Sequence, residues 1–137
     1  MANGVYTSFK TGLMQAGFNL GSDTIKIMLV NGYAFNAAHA HRSDITNETT
    51  GTGYSAGGAA LSGLSVAASG TSAKFTATNP SWASSTISAT GAVIYKSNGS
   101  AATDTLICYL DFGGTITDTN GTFTVTFDST NGINLLS

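Results

Sequence analysis

Charged side chains are scarce in this 137-residue sequence, at 9% of residues against about 25% in an average soluble protein. The five Lys and Arg residues are scattered at positions 10, 26, 42, 74 and 96, so they form no basic stripe that could neutralise nucleic-acid phosphates. The apolar runs, such as residues 27–30, are far shorter than the about 20 residues of a membrane-spanning helix. We therefore expect neither a nucleic-acid nor a membrane partner.

Cysteine occurs once, as Cys108, which excludes an internal disulfide. This residue lies in an apolar strand-like run, where a thiol is usually a buried and inert group. Residues 1–19 carry Lys10 but lack the apolar stretch and small-residue cleavage site of a secretory signal, which predicts synthesis in a cytoplasm.

Small residues take the place of charge, since Gly, Ala, Ser, Thr and Asn supply 82 of the 137 positions. Eighteen of the residues counted as hydrophobic are alanine, so the core is expected to be thin. The net charge is only −2, which argues against disorder and for one folded domain. A surface of short side chains also loses little entropy when it packs against another protein.

Hydrophobic periodicity predicts a helix followed by strands. Residues 5–20 have an apolar stripe at steps of three and four, which indicates an N-terminal amphipathic helix of about three turns. The stripe consists of Val5, Phe9, Leu13, Ala16 and Leu20. Residues 24–30 read as a strand, and the chain after about residue 55 alternates with a period of two.

Turn residues separate these runs at intervals of about ten, which is typical of an antiparallel sandwich. The turns include Gly113-Gly114, Asn120-Gly121 and Asn131-Gly132, the last joining the strand that ends at Phe127 to a closing strand. We predict a single, mainly β domain over 1–137, an antiparallel β-sandwich or jelly-roll-like fold with one N-terminal α-helix. The helix covers 5–20, the β-rich body covers 24–137, and an irregular loop covers 31–58.

The core should contain the large apolar residues of the strands. We expect the following to be mostly buried: Phe75, Ile94, Leu106, Cys108, Leu110, Phe123, Val125 and Phe127.

Two histidines raise the possibility of a metal site. His39 and His41 form His-x-His, with Asp44 and Glu48 close behind. Zinc would require further ligands in the right geometry, so a loop turn whose histidines contact backbone or a partner chain is the favoured interpretation. We predict no metal and no cofactor.

Catalytic machinery is equally sparse. Asp104, Asp111 and Asp118 recur every seven residues without sharing a face, so no paired acid and base is indicated. The glycine-rich segment 51–58 lacks the Lys-Ser/Thr ending of a phosphate-binding loop. Its glycines instead allow sharp bends or close approach to another chain, with Tyr54 as an anchor. No catalytic residue is predicted, and we expect a protein that is not an enzyme.

Five segments taken in order resemble a known family. They are 22–29 (SDTIKIML), 51–58 (GTGYSAGG), 79–83 (NPSWA), 92–96 (AVIYK) and 106–113 (LICYLDFG). Together they are similar to a small β-rich protein encoded by many tailed bacteriophages, usually a head decoration, cement or head-fibre virion protein. The similarity runs from about Tyr6 to Leu136. It implies a virion structural protein made in the host bacterial cytoplasm and bound to the major capsid protein on the outer head surface.

The expected interface lies in the aromatic and glycine-rich stretch 33–58, because aromatic side chains carry much interface energy. The candidate anchors are Tyr33, Phe35, His39, His41 and Tyr54. The alternative is that Phe35 and Tyr54 only pin a long loop to its own sheet.

A thin core also predicts self-association. A homo-trimer is favoured by the resemblance and by capsid three-fold symmetry, with a dimer as the alternative. The second functional hypothesis is a carbohydrate-binding or receptor-binding module of a tail or fibre, in which Trp82, Tyr54 or Tyr33 stacks on sugar rings.

Overall fold

Two antiparallel sheets and one short helix make up the part of the chain that the computed structural model describes, residues 4–127 and 134–136. In chain order the elements are β1 (Gly4–Val5), α1 (Thr7–Met14), β2 (Ile25–Val30), β3 (Ala59–Ala60), β4 (Ser65–Ser69), β5 (Ser72–Thr76), β6 (Ser81–Lys96), β7 (Thr105–Thr124) and β8 (Asn134–Leu136). The larger sheet has the strand order β1-β7-β6-β2-β3 and the smaller has β4-β5-β8. The predicted mainly β, sandwich-like domain with one N-terminal helix is confirmed.

The helix is shorter than predicted at both ends. Val5 belongs to β1, where it pairs with Cys108 of β7, so α1 begins only at Thr7. Phe9 and Leu20 of the predicted stripe are buried and Leu13 is partly buried, whereas Ala16 lies beyond the end of α1 and is exposed.

A tight backbone cap explains why α1 ends six residues early. Ala16 adopts a left-handed conformation with φ 59°, and the Gly17 N–H donates to the Gly12 carbonyl oxygen at 2.7 Å. The Ala16 N–H donates to the Leu13 carbonyl oxygen at 3.3 Å. These two bonds form a Schellman-type termination, which turns the chain away before the hydrophobic stripe ends.

Strands β6 and β7 form one long ladder, and the turns predicted at Gly113-Gly114 and Asn120-Gly121 are wrong. The chain continues in the same direction there, but its pairing with β6 shifts in register. Asp111 pairs with Gly91 and Ile116 pairs with Ala89, so residues 112–115 bulge out opposite a single residue of β6. Gly113 (φ 79°) and Asn120 (φ 55°) adopt left-handed conformations, which a bulge uses as readily as a turn does.

The closing strand also pairs differently from the prediction. β8 pairs with β5, with Lys74 opposite Leu135, and not with the strand that ends near Phe127. The proposed turn residues Asn131-Gly132 lie outside the described residues.

The larger sheet separates two apolar clusters. Alternate residues of β2 enter different clusters, with Ile27 and Leu29 on one side and Met28 and Val30 on the other. Of the residues predicted to be buried, all are buried except Phe127, which is half-buried. Since β2 is covered on both faces, some other part of the chain must form a layer over the second cluster, and this layer is the loop between β2 and β3.

Candidate functional site

The loop 31–58 is fixed to the body by backbone pairing despite its lack of strand periodicity. Isolated bridges connect Val30 with Glu48, His41 with Thr105, and Thr52 with Thr86. A short 3-10 helix, Arg42–Asp44, lies within the loop. These contacts give the segment a defined position on the body.

An aromatic cluster anchors the first part of the loop. Tyr33 is buried, and its hydroxyl lies 3.0 Å from the Tyr6 hydroxyl and 2.9 Å from Nδ1 of His39. The Phe35 ring stacks on Tyr109 with centroids 5.8 Å apart and an interplanar angle of 12°. Burial raises the pKa of both Tyr6 and Tyr33, so these hydroxyls stay protonated and act as hydrogen-bonding groups.

Tyr54 anchors the second part of the loop. Its hydroxyl accepts a hydrogen bond from the Leu29 N–H at 3.0 Å and donates to Oε2 of Glu48 at 2.7 Å. The Gly57 N–H donates to the same carboxylate oxygen at 2.6 Å. The Tyr54 ring lies 5.9 Å from that of Trp82, and burial followed by the Glu48 hydrogen bond raises the pKa of Tyr54. Tyr54 thus joins the loop to both β2 and β6.

The glycine-rich segment lies directly against the strands of its own domain. At Gly58 (φ 76°) a Cβ atom would collide with the backbone carbonyl of Ile27 in β2. At Gly51 it would collide with the carbonyl oxygen of Thr86 in β6. The close approach predicted for these glycines therefore occurs within the chain, and it leaves no room for side chains at these two positions.

A buried ion pair holds the 3-10 helix in place. Nε of Arg42 lies 2.8 Å from Oδ2 of Asp104, whose side chain is almost fully buried. The other Asp104 oxygen accepts the Asn98 N–H at 2.6 Å, which ties the β6–β7 turn to the same group. The guanidinium carbon of Arg42 lies 5.4 Å from the centre of the Tyr95 ring, and burial raises the pKa of Tyr95 to about 12.

The two histidines differ in exposure. His39 is half-buried against Tyr33, whereas His41 is exposed. The Asp44 carboxylate accepts the N–H groups of Ala40 and His41 at 2.9 and 3.1 Å, and these backbone bonds lower its pKa. Within residues 4–127 and 134–136, no three His, Cys, Asp or Glu side chains lie together in a group that could hold a metal ion.

The five predicted interface residues thus fall into two groups. Tyr33, Phe35, His39 and Tyr54 make intramolecular contacts that pin the loop, as the alternative interpretation states for Phe35 and Tyr54. His41 is the only one of the five that is exposed. Their role in an interface remains a prediction, and a partner would meet the short side chains that these anchors leave at the surface.

A polar cleft of about 320 Å³ lies between the loop and the β6–β7 ladder. Amides and hydroxyls dominate its lining, which includes Asn31, Asn47, Thr50, Thr86, Ser88 and Thr117. Three distant segments of sequence form it, so no local motif could have indicated it.

The remaining candidate groups have structural contacts. Cys108 is buried as predicted, and burial raises its pKa to about 12. The fully buried Ser85 hydroxyl donates to Oδ2 of Asp118 beside the left-handed Ser84, a corner that the sequence did not indicate. The Asp111 carboxylate accepts the Gly113 N–H at 2.8 Å.

No helix in the described part of the chain is long and apolar enough to cross a membrane. No family model, curated protein or solved structure matches this chain.

Proposed function

We propose that the protein is a non-enzymatic structural protein of a tailed-bacteriophage virion, which binds the outer head surface as a decoration, cement or head-fibre protein. Its partner is the major capsid protein, and it assembles as a homo-oligomer, with a trimer favoured over a dimer. The resemblance from about Tyr6 to Leu136 supports this family. The structural observation that carries the proposal is the loop 31–58, which is long, irregular and yet pinned throughout.

A loop that is already fixed supports a binding role, because no conformational entropy is lost to ordering it when a partner binds. Ordering of a flexible loop and of long side chains reduces affinity in most interfaces. Here the anchors are internal, and the exposed loop positions carry short side chains such as Ala38, Ser43, Thr46 and Thr50. Such a surface permits close backbone approach and suits a protein that packs tightly on a regular shell.

Mass spectrometry of purified particles tests the virion assignment through copy number. Hundreds of copies per particle are expected of a head protein, whereas a handful would indicate a tail or vertex component. A particle without the protein would refute the assignment. Because few charges lie on the loop, binding to empty shells should depend little on salt, unlike a contact driven by ion pairs.

A single substitution tests the loop surface itself. Ala38→Lys places a long charged side chain on an exposed position without touching an anchor, so it should reduce the occupancy of empty shells. Thr122→Lys is the matched control, because Thr122 is exposed on β7, outside the loop. Equal occupancy for Ala38→Lys and wild type would remove this part of the loop from the interface.

The polar cleft supports a second candidate function, carbohydrate binding. The rings of Trp82 and Tyr33 are only 7% and 8% exposed and Tyr54 is half-buried, so the three rings offer little surface for stacking on a sugar. A sugar would instead use the amides and hydroxyls around Asn31 and Asn47. A melting-temperature shift with an oligosaccharide library that is lost in Asn47→Ala and kept in Asn36→Ala would favour this function over decoration.

A further inference from the structure

A chain of three hydrogen-bonding groups joins the start of the loop 31–58 to the body of the protein. Tyr6 lies between β1 and α1 and is fully buried. Its hydroxyl lies 3.0 Å from the Tyr33 hydroxyl, which in turn lies 2.9 Å from Nδ1 of His39. The His39 ring is half-buried and lies 5.8 Å from the Tyr33 ring, centroid to centroid. The chain therefore leads from the buried interior to a histidine that water can reach.

The number of protons determines the direction of each of these bonds. Burial raises the pKa of Tyr6 and of Tyr33, so each hydroxyl keeps its one proton. Among the described residues, the Tyr33 oxygen is the only acceptor within reach of the Tyr6 hydroxyl. Because a buried donor without an acceptor is costly, Tyr6 donates to Tyr33 and Tyr33 donates to Nδ1 of His39. Neutral His39 therefore carries its proton on Nε2.

A second proton on His39 is incompatible with this arrangement. Nδ1 would then donate to the Tyr33 oxygen instead of accepting a hydrogen bond from it. The Tyr33 proton would turn to the Tyr6 oxygen, and the Tyr6 proton would lose its acceptor in a fully buried position. Such an unpaired buried donor costs at least as much as a broken hydrogen bond. Release of the His39 ring from Tyr33 avoids this cost.

Two ionisable groups of the loop act on a charged His39. The exposed Asp44 carboxylate attracts the protonated ring, and a protonated His41 repels it. Oδ2 of Asp44 already accepts two backbone N–H groups of the loop, and water screens its charge. Asp44 therefore favours a charged His39 at the surface. The titratable groups of β7 beside Tyr6 are Tyr109 and Cys108, and both stay neutral because burial raises their pKa.

We propose that the hydrogen bond between Tyr33 and His39 is an acid-sensitive contact, which holds residues 33–40 of the loop on the body and opens when His39 takes up a proton. Two backbone bonds lie beside it, and the N–H groups of Thr7 and Leu106 donate them to the loop. Both should open more often in acid. The closed loop must give up a bond to take the proton and the open loop need not, so acid favours the open form. This inference does not depend on the virion assignment.

Hydrogen exchange of single amides, followed by NMR of the full chain, tests the proposal. Histidine is the only side chain that ordinarily changes charge between about pH 7.5 and pH 5, and the chain has two histidines. From the upper to the lower pH, the protection factors of the Thr7 and Leu106 amides should fall about tenfold or more. The Thr49 amide, which donates to Leu29 near the other end of the loop, is the internal control and should change by less than about twofold.

Nitrogen NMR of the imidazole rings tests the starting arrangement directly. At neutral pH the proton of His39 should be on Nε2, because Nδ1 accepts the Tyr33 hydroxyl.

Three variants separate the hydrogen bond from the titration. In His39→Asn the side-chain oxygen can accept the Tyr33 hydroxyl from near the position of Nδ1 and takes up no proton, so the acid response should disappear. His41→Asn is the matched control, since His41 is exposed and outside the chain of bonds, and it should keep the response. Tyr33→Phe removes the middle group, so the protection factors should already be low at neutral pH and should not fall further in acid.

Four results would overturn the inference: a proton on Nδ1 of neutral His39, constant protection factors in wild type, a full acid response in His39→Asn or Tyr33→Phe, or loss of the response in His41→Asn.

Discussion

The two halves of the β6–β7 ladder differ in how firmly their register is held. Near Val93 and Leu106 the sheet is buried on both faces, and the pairing shifts by a single residue between Ile94 and Tyr95. Between Trp82 and Ala89 the register shifts twice, and a four-residue bulge on β7 separates this half from the buried half. Two-sided burial fixes the register of a strand, because a slip would expose a whole apolar face.

Phe123→Ala tests whether the bulged half nevertheless contributes core stability. Phe123 is 3% exposed and packs against Trp82 and Phe112, so the variant should lose about 3 to 5 kcal/mol of unfolding free energy. Thr122→Ala on the exposed face is the control and should change it by less than about 0.5 kcal/mol. Urea denaturation measures both, and a loss below about 1 kcal/mol would show that the bulged half is not part of the core.

Gly58→Ala tests how closely the end of the loop lies against β2 in the other half. A methyl group at Gly58 would collide with the Ile27 carbonyl, and φ is 76°, so we expect a loss of about 2 to 4 kcal/mol. Gly32→Ala is a matched control, because Gly32 has the same φ and no atom within 4 Å of the added carbon. Equal unfolding free energies for the two variants would mean that the loop does not press on β2.

Ser85→Ala tests the corner of the bulged half. Removal of the buried hydroxyl leaves the Asp118 carboxylate without this donor, which should lower the unfolding free energy by about 1 to 3 kcal/mol. The exposed Ser88 hydroxyl, which lies 3.0 Å from that of Thr117, provides the comparison. Ser88→Ala should have a much smaller effect in the same denaturation assay, and the reverse order would contradict the assignment of the corner.

The pH dependence of stability tests the burial of Cys108 in the buried half of the ladder. Burial raises its folded-state pKa from 9.0 to about 12, so the unfolded chain loses this proton first as pH rises. The contribution of this pKa shift to the free energy of unfolding is therefore complete below pH 9. It decreases above pH 9, by about 1 kcal/mol between pH 9 and 10. Urea titrations of wild type and Cys108→Ala at several pH values should show a shallower decline in the variant. Parallel declines would mean that Cys108 ionises in the folded state as easily as in the unfolded state.

Ala16→Gly has the smallest expected effect and lies outside both halves of the ladder. Glycine relieves the left-handed conformation that ends α1, so thermal melting should show stabilisation of about 0.5 to 1 kcal/mol. Gln15→Gly is the control. Gln15 has a φ of −101°, which is not strained for a non-glycine residue. Glycine at this position adds flexibility to the unfolded chain and should destabilise the protein slightly.

Sequence periodicity predicted the buried half of the molecule well, because alternation in β2, β6 and β7 reflects burial directly. Sequence periodicity and turn residues gave a wrong prediction where the same residues are compatible with two local structures. Gly113-Gly114 is compatible with a turn and with a bulge, and only the pairing of Ile116 with Ala89 distinguishes them. The end of α1 was missed because alanine rarely provides a left-handed cap.

The candidate site was predictable as a segment but not as a set of contacts. The length of loop 31–58 and its aromatic and glycine residues indicated a special role. Which partner each anchor contacts depends on pairs that are distant in sequence, such as Tyr6 with Tyr33 and Arg42 with Asp104. No periodic pattern encodes such pairs, and the polar cleft and the Ser85 corner were missed for the same reason.

The register of β1 has a consequence for how the protein is made. Gly4 and Val5 pair with Tyr109 and Cys108, so β1 leaves the ribosome about 100 residues before the strand with which it pairs. At about 5 to 20 residues per second, that delay lasts several seconds or more. Contacts between such distant segments also fold slowly in general. This edge of the sheet therefore closes only after β7 has been synthesised, and the nascent chain is exposed to proteases and to premature pairing during this interval.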